Sequence, residues 1–132
     1  MPYRAIETGG ALLRLAESGA GEPAFDFLHS WGGSARTWQG VIRRLEGHVR
    51  CVALDQRGWG ESVAKDGRYD LRAMPDDVEA VVRSLDLRRF VLVGHSMRGK
   101  VAQVVAARRL KGLEGVVLVA PPHADGSPPA AA

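Results

Sequence analysis

The sequence predicts an α/β fold: a mostly parallel sheet of about six strands with helices on both faces. Three observations lead there. Short β-type apolar runs alternate with segments whose apolar residues recur at helical spacing, the pattern of strand and crossover helix. One run, Phe90-Val91-Leu92-Val93, is too short and too uniformly apolar for anything but a central strand. The segments that follow the runs gather Gly, Ser, His, Asp and Trp, and in parallel sheets ligands collect at the carboxyl ends of the strands.

Residues 11–17 read as an edge strand, followed by a Gly- and Pro-containing turn, and residues 24–28 as a short strand ending at His29. Ser34 or Thr37 is a candidate cap for a helix carrying Trp38, Val41, Ile42 and Leu45, with Gly47 as its stop. Residues 49–54 are a buried strand. After a Gly-containing loop over residues 55–70, Asp76 and Asp77 open a helix with Val78, Val81, Val82 and Leu85 on its apolar face, acidic residues suiting the positive end of the helix dipole. The central strand then leads into a helix over residues 99–110, with Val101, Val104, Val105 and Leu110 on or near one face, and residues 116–119 form a last buried strand. Asp26, inside an otherwise apolar strand, demands a partner or a raised pKa.

A chain of 132 residues, 45% hydrophobic and 25% charged, suits one modest domain, here residues 1–122, with 123–132 a flexible tail rich in Pro and Ala. The net charge of +3 comes from 18 basic and 15 acidic residues interleaved along the chain, so no basic tract marks a nucleic-acid or membrane partner. The densest basic stretches, Arg43-Arg44, Arg88-Arg89 and residues 108–111, fall near predicted helix ends, where cations suit the dipole. The single Cys51 cannot form an internal disulfide and begins an apolar run, which reads as a buried core thiol in a reducing compartment. The first residues lack the apolar stretch of a signal peptide, and no run approaches membrane-spanning length. A cytoplasmic protein without cofactor or metal is expected.

Gly94-His95-Ser96-Met97-Arg98-Gly99 follows the central strand and opens a helix, the context of a nucleophile elbow. A serine at such a turn is lifted above the sheet, with the helix N-terminus behind it to favour an oxyanion, while Gly94 and Gly99 leave room where strand and helix approach. Here the chain resembles the α/β-hydrolase fold family, of which Gly94-His95-Ser96-Met97 is a common elbow wording. Two further segments carry the resemblance: His29-Ser30 in place of the family's His-Gly pair, and Asp55-Gln56-Arg57-Gly58-Trp59-Gly60-Glu61-Ser62 in place of its Asp-x-Arg-Gly-x-Gly-x-Ser. The resemblance covers residues 11–122. It implies a catalytic Ser96, oxyanion donors in the backbone N–H groups of Trp31 and Met97, and elbow and loop support from Gly94, His95, Gly99 and His29. The loop after residue 54 is assigned a structural role, its glycines at positive φ and an Asp–Arg pair bracing it. Arg98 departs from the small residue usual two positions after the nucleophile, and Ser30 replaces a glycine.

Downstream of Ser96 the side-chain carboxylates are Glu114 and Asp125 and the one histidine is His123. Family members continue through a cap and further strands that deliver the triad acid and then the histidine; Asp125 imitates an early acid, but no histidine follows it. The expectation is a serine hydrolase acting on a small-molecule ester or related acyl substrate, truncated and nearly inactive alone. Carbon–carbon bond hydrolysis and perhydrolysis share these motifs. A non-catalytic binding module on the same scaffold, or an inactive fragment, is the alternative. The last strand would be an exposed sheet edge, which invites self-association.

Overall fold

The computed structural model describes residues 3–29, 33–69, 72–96 and 98–119, with Arg98 and Gly99 described as backbone only. Its elements are β1 (Tyr3–Glu7), β2 (Ala11–Ser18), β3 (Ala24–Leu28), a 3-10 turn (Ala35–Trp38) running into α1 (Gln39–Leu45), β4 (Cys51–Leu54), the two-residue β5 (Val63–Ala64), α2 (Met74–Ser84), β6 (Phe90–His95), α3 (Arg98–Ala107) and β7 (Leu113–Val119). The sheet runs β1-β2-β4-β3-β6-β7, with β5 added beside β2. Pairing is parallel from β4 through β3 and β6 to β7, and antiparallel where β2 joins β4 and β1.

This corrects one expectation: β2 is an interior strand, and β1, which the sequence reading left out, lies at the edge. Within β1 only Ile6 is buried, so its alternation offers a single apolar position and a weak period-two signal. The expected strand over 116–119 begins earlier, at Leu113, and the expected helix over 99–110 ends at Ala107, with Arg109 turning the chain at φ 53°. Val104, expected on the apolar side of that helix, is 47% exposed, because Val101, Ala102 and Val105 already fill the stripe that meets the sheet.

Alternation along the strands builds two cores. One face carries Leu13, Leu15, Leu28, Val52, Leu54 and Leu92 against α2 and α3. The other carries Ala16, Phe27, Cys51, Ala53 and Val93 against the 3-10 turn and α1, which supply Ala35, Trp38 and Ile42. Ser34 and Thr37 act together as a capping box: the Ser34 hydroxyl accepts the Arg36 N–H at 3.2 Å, and the Thr37 hydroxyl accepts the Ser34 N–H at 3.3 Å. Asp76 and Asp77 stand in the first turn of α2, as expected.

Asp26 lies on the larger core's face, in register with Val52 and Leu92, fully buried and, among the described residues, with no partner for either carboxylate oxygen. Burial alone pushes its pKa up to about 7. Cys51 is buried as expected, and burial, with a smaller contribution from Glu46, pushes its thiol up to about 11. Such a thiol is a packing group at neutral pH.

Candidate active site

The carboxyl ends of the parallel strands bring three loops to one end of the sheet. Each starts from a strand that is buried because it packs helices on both faces, so the loop's first residues inherit a rigid base. The loops are then tied to one another. His29, at the end of β3, is buried, and its Nε2 accepts the Gln56 backbone N–H at 2.9 Å across to the loop after β4. A nitrogen that accepts there is neutral and committed, so His29 holds loops and is a poor candidate for a general base.

Asp55 begins the loop after β4, and its carboxylate accepts the Ala35 N–H at 2.7 Å and the Glu61 N–H at 3.1 Å. One oxygen therefore anchors the 3-10 turn and the other closes the loop on itself. Gly58 and Gly60 take φ of 81° and 55°, the left-handed region expected for this segment. A side chain at Gly60 would also collide with the Asp55 carboxylate. The Ser62 hydroxyl donates to the Asp55 carbonyl and accepts the Arg14 N–H at 2.8 Å, fastening the loop to β2.

The expected Asp–Arg brace is present, and the structure identifies its aspartates. Arg57 does not pair with Asp55 but reaches away from the strand ends to Asp77 of α2, Nε to Oδ2 at 2.7 Å and Nη2 to Oδ1 at 2.8 Å, and to Asp66 at 2.9 Å. The reason is competition: both Asp55 oxygens are taken by backbone N–H groups, and the forked guanidinium fits the free carboxylate of Asp77. Asp77 raises the Arg57 pKa still further above its ordinary value, and the Arg68 backbone N–H, with a smaller contribution from the Arg57 guanidinium, holds Asp66 below the usual carboxylate range.

Ser96 follows β6 directly and precedes α3, with φ at 56°, partly exposed. A non-glycine residue in the left-handed region is strained by about 1–2 kcal/mol, and such outliers persist where surrounding contacts over-determine them. Here the Ser96 N–H donates to the Val119 carbonyl at 2.9 Å. Gly94 is buried in register between Leu28 and Leu118. The His95 ring meets Trp38 edge-on, centroids 6.0 Å apart and planes at 78°.

Trp31, Met97, His123 and Asp125 lie outside the described residues, as do Ser30 and the tail over 123–132. Among the described residues, the carboxylate downstream of Ser96 is Glu114, at the opposite end of β7 and paired with Arg89 at 2.6 Å. It stands about 16 Å along the strand from the Ser96 end, out of reach as an acid. The described residues contain no cluster of three or more His, Cys, Asp or Glu able to hold a metal, and no helix long and apolar enough to cross a membrane.

The sheet is mixed, and its interior strand β6 passes into a helix through Ser96 in the left-handed region, at the end where the loops after β3 and β4 are tied to each other, an α/β architecture with a strand-turn-helix serine. The profile of the alpha/beta hydrolase fold matches residues 23–131, and the chain belongs to that family. It is 35% identical over 115 residues to the dihydrolipoyllysine-residue acetyltransferase component of an acetoin cleaving system from Pseudomonas putida, covering 86% of this chain and 31% of that protein. It is 40% identical over 111 residues to protein phosphatase methylesterase 1 of Mus musculus, covering 79% and 28%. The crystal structure of a hydrolase from Pseudomonas aeruginosa superposes with a TM-score of 0.82 at 30% identity, over 90% of this chain and 46% of that one. The chain thus spans about a third of the length of these curated relatives and under half of the solved one. Its homologues include hydrolases of several kinds, among them an epoxide hydrolase, an esterase and a dehalogenase.

Proposed function

We propose that this chain carries the nucleophile segment of a serine hydrolase acting on a small ester or related acyl compound. The observation that supports it most is the left-handed backbone of Ser96 at the carboxyl end of β6, in a chain of the α/β-hydrolase family. In this reading the Ser96 Oγ attacks the acyl carbonyl, its proton passes to a base, and the oxyanion is held by the backbone N–H groups of Trp31 and Met97. Each aimed donor of that kind contributes roughly 2.7–4 kcal/mol of transition-state stabilisation. The alkoxide leaves with a proton, and water then releases the acyl group from serine. Gly94, His95, Gly99 and His29 hold the elbow and its neighbouring loop. A cytoplasmic, reducing setting suits the lone buried Cys51.

His29 is committed to Gln56 and Glu114 lies at the far end of its strand, so neither stands ready as the base. The rate expected of the chain alone is the residue left when triad members are missing, roughly 10³–10⁴ over water. A fluorophosphonate probe tests the nucleophile: slow labelling mapped to Ser96 by mass spectrometry and lost in Ser96→Ala is the expected result. Label that persists in Ser96→Ala overturns it. The same engagement of His29 favours a second reading, a non-catalytic binding module, which predicts ligand binding undiminished in Ser96→Ala and no ester turnover above background.

A further inference from the structure

We infer that Trp38 is a positioning residue for the nucleophile turn, acting through His95. Trp38 closes the 3-10 turn at the entrance to α1, and its indole is buried at 6% exposure. One side of the indole meets Phe27 of β3, with centroids 5.0 Å apart. It also meets the edge-on ring of His95, the residue that immediately precedes Ser96. The buried indole Nε1 has no hydrogen-bond partner among the described residues, where the ring's contacts are packing contacts.

The position of that ring is set from the other end of the same turn. Asp55 accepts the Ala35 N–H at 2.7 Å, which pins the turn to the loop after β4. A chain of contacts therefore runs from the Asp55 carboxylate through one turn of backbone to the indole, then to His95, and ends at the strained residue 96. Ser96 is held in its left-handed conformation from two directions: its own N–H on the Val119 carbonyl, and the imidazole beside it on Trp38. A residue in that region relaxes when its restraints are loosened. Removing the indole should free the turn selectively, without touching the sheet pairing that carries β6.

The functional meaning of this role rests on Ser96 being the nucleophile, but its test does not. Amide hydrogen exchange, measured by NMR, compares the Ser96 N–H with the Leu92 N–H of the same strand, whose exchange reports unfolding of the core. An aromatic pair of this geometry corresponds to about a two- to tenfold effect on an equilibrium constant. Trp38→Leu is expected to raise the Ser96-to-Leu92 exchange ratio by that factor, and Trp38→Phe to restore it. In a His95→Ala background Trp38→Leu should leave the ratio unchanged. Equal acceleration at both amides, or the same change in both backgrounds, overturns the inference. Should Trp38→Leu fail to fold, the His95 ring protons of the unaltered protein decide: ring-current-shifted resonances that move towards random-coil values in Trp38→Phe support it, and random-coil values from the outset overturn it. A protein with this coupling intact whose Ser96 takes no fluorophosphonate would instead refute the nucleophile assignment and leave the positioning role standing.

Discussion

Asp26 stands in the third strand among Ala24, Leu28, Val52 and Leu92, and the side chains facing it from the neighbouring strands are apolar. Unfolded, its carboxyl ionises near pH 4; folded, it holds its proton to about 7. Below pH 4 both states are protonated and the group costs nothing through ionisation. Between 4 and 7 unfolding releases a proton, so stability falls as pH rises, and above 7 the full penalty of a few kcal/mol is present. Asp26→Val removes it. Urea denaturation should show the variant more stable by about 1–3 kcal/mol at pH 8, with the gap shrinking towards pH 4. A constant gap would show that the carboxyl reaches water in the folded state. The oddity of an acid in an apolar strand was visible in the sequence, and so was Ser96, since a turn between strand and helix dictates its neighbours. The Trp38–His95 contact was not, because 57 residues separate the two rings and only the β3–β6 pairing brings them together.

Between elements, the Arg57 guanidinium joins the loop after β4 to α2 by two parallel hydrogen bonds to Asp77, with both side chains 3% exposed. Burying such a pair gains little by itself, but removing one partner strands the other charge. Arg57→Ala should therefore destabilise by about 3–5 kcal/mol, and Arg57→Ala combined with Asp77→Leu should recover much of it, as read from thermal unfolding by circular dichroism. A double variant no better than the single one would mean the pair is not what fastens the loop. Sequence alone placed an Asp–Arg brace here without naming the aspartate. Two candidates lay within reach of the arginine, and the decision fell to backbone N–H groups that only the folded turn presents to Asp55. Helix starts were legible because caps are local: Ser34, Thr37, Asp76 and Asp77 all stand where their chemistry places them.

Across the molecule, the parallel strands were legible from their apolar runs, whereas the polar first strand was not, since its one buried residue leaves no period to detect. Among the described residues, strand β7 ends the sheet, with Val117 45% and Val119 39% exposed on the side that α1 covers elsewhere. An unpaired edge with valines beside it is self-complementary to a second copy. Concentration-dependent association in sedimentation velocity is expected, weakened by Val117→Lys; a monomer at every concentration would show that the edge is closed in solution. The β1–β2 hairpin has a different lesson. The family profile's match begins at residue 23, after the hairpin, yet Leu13 and Leu15 are fully buried in the larger core and β2 supplies β4 with its outer partner. A protein trimmed to the profile-matched residues would keep its signature residues and lose part of the scaffold that folds them.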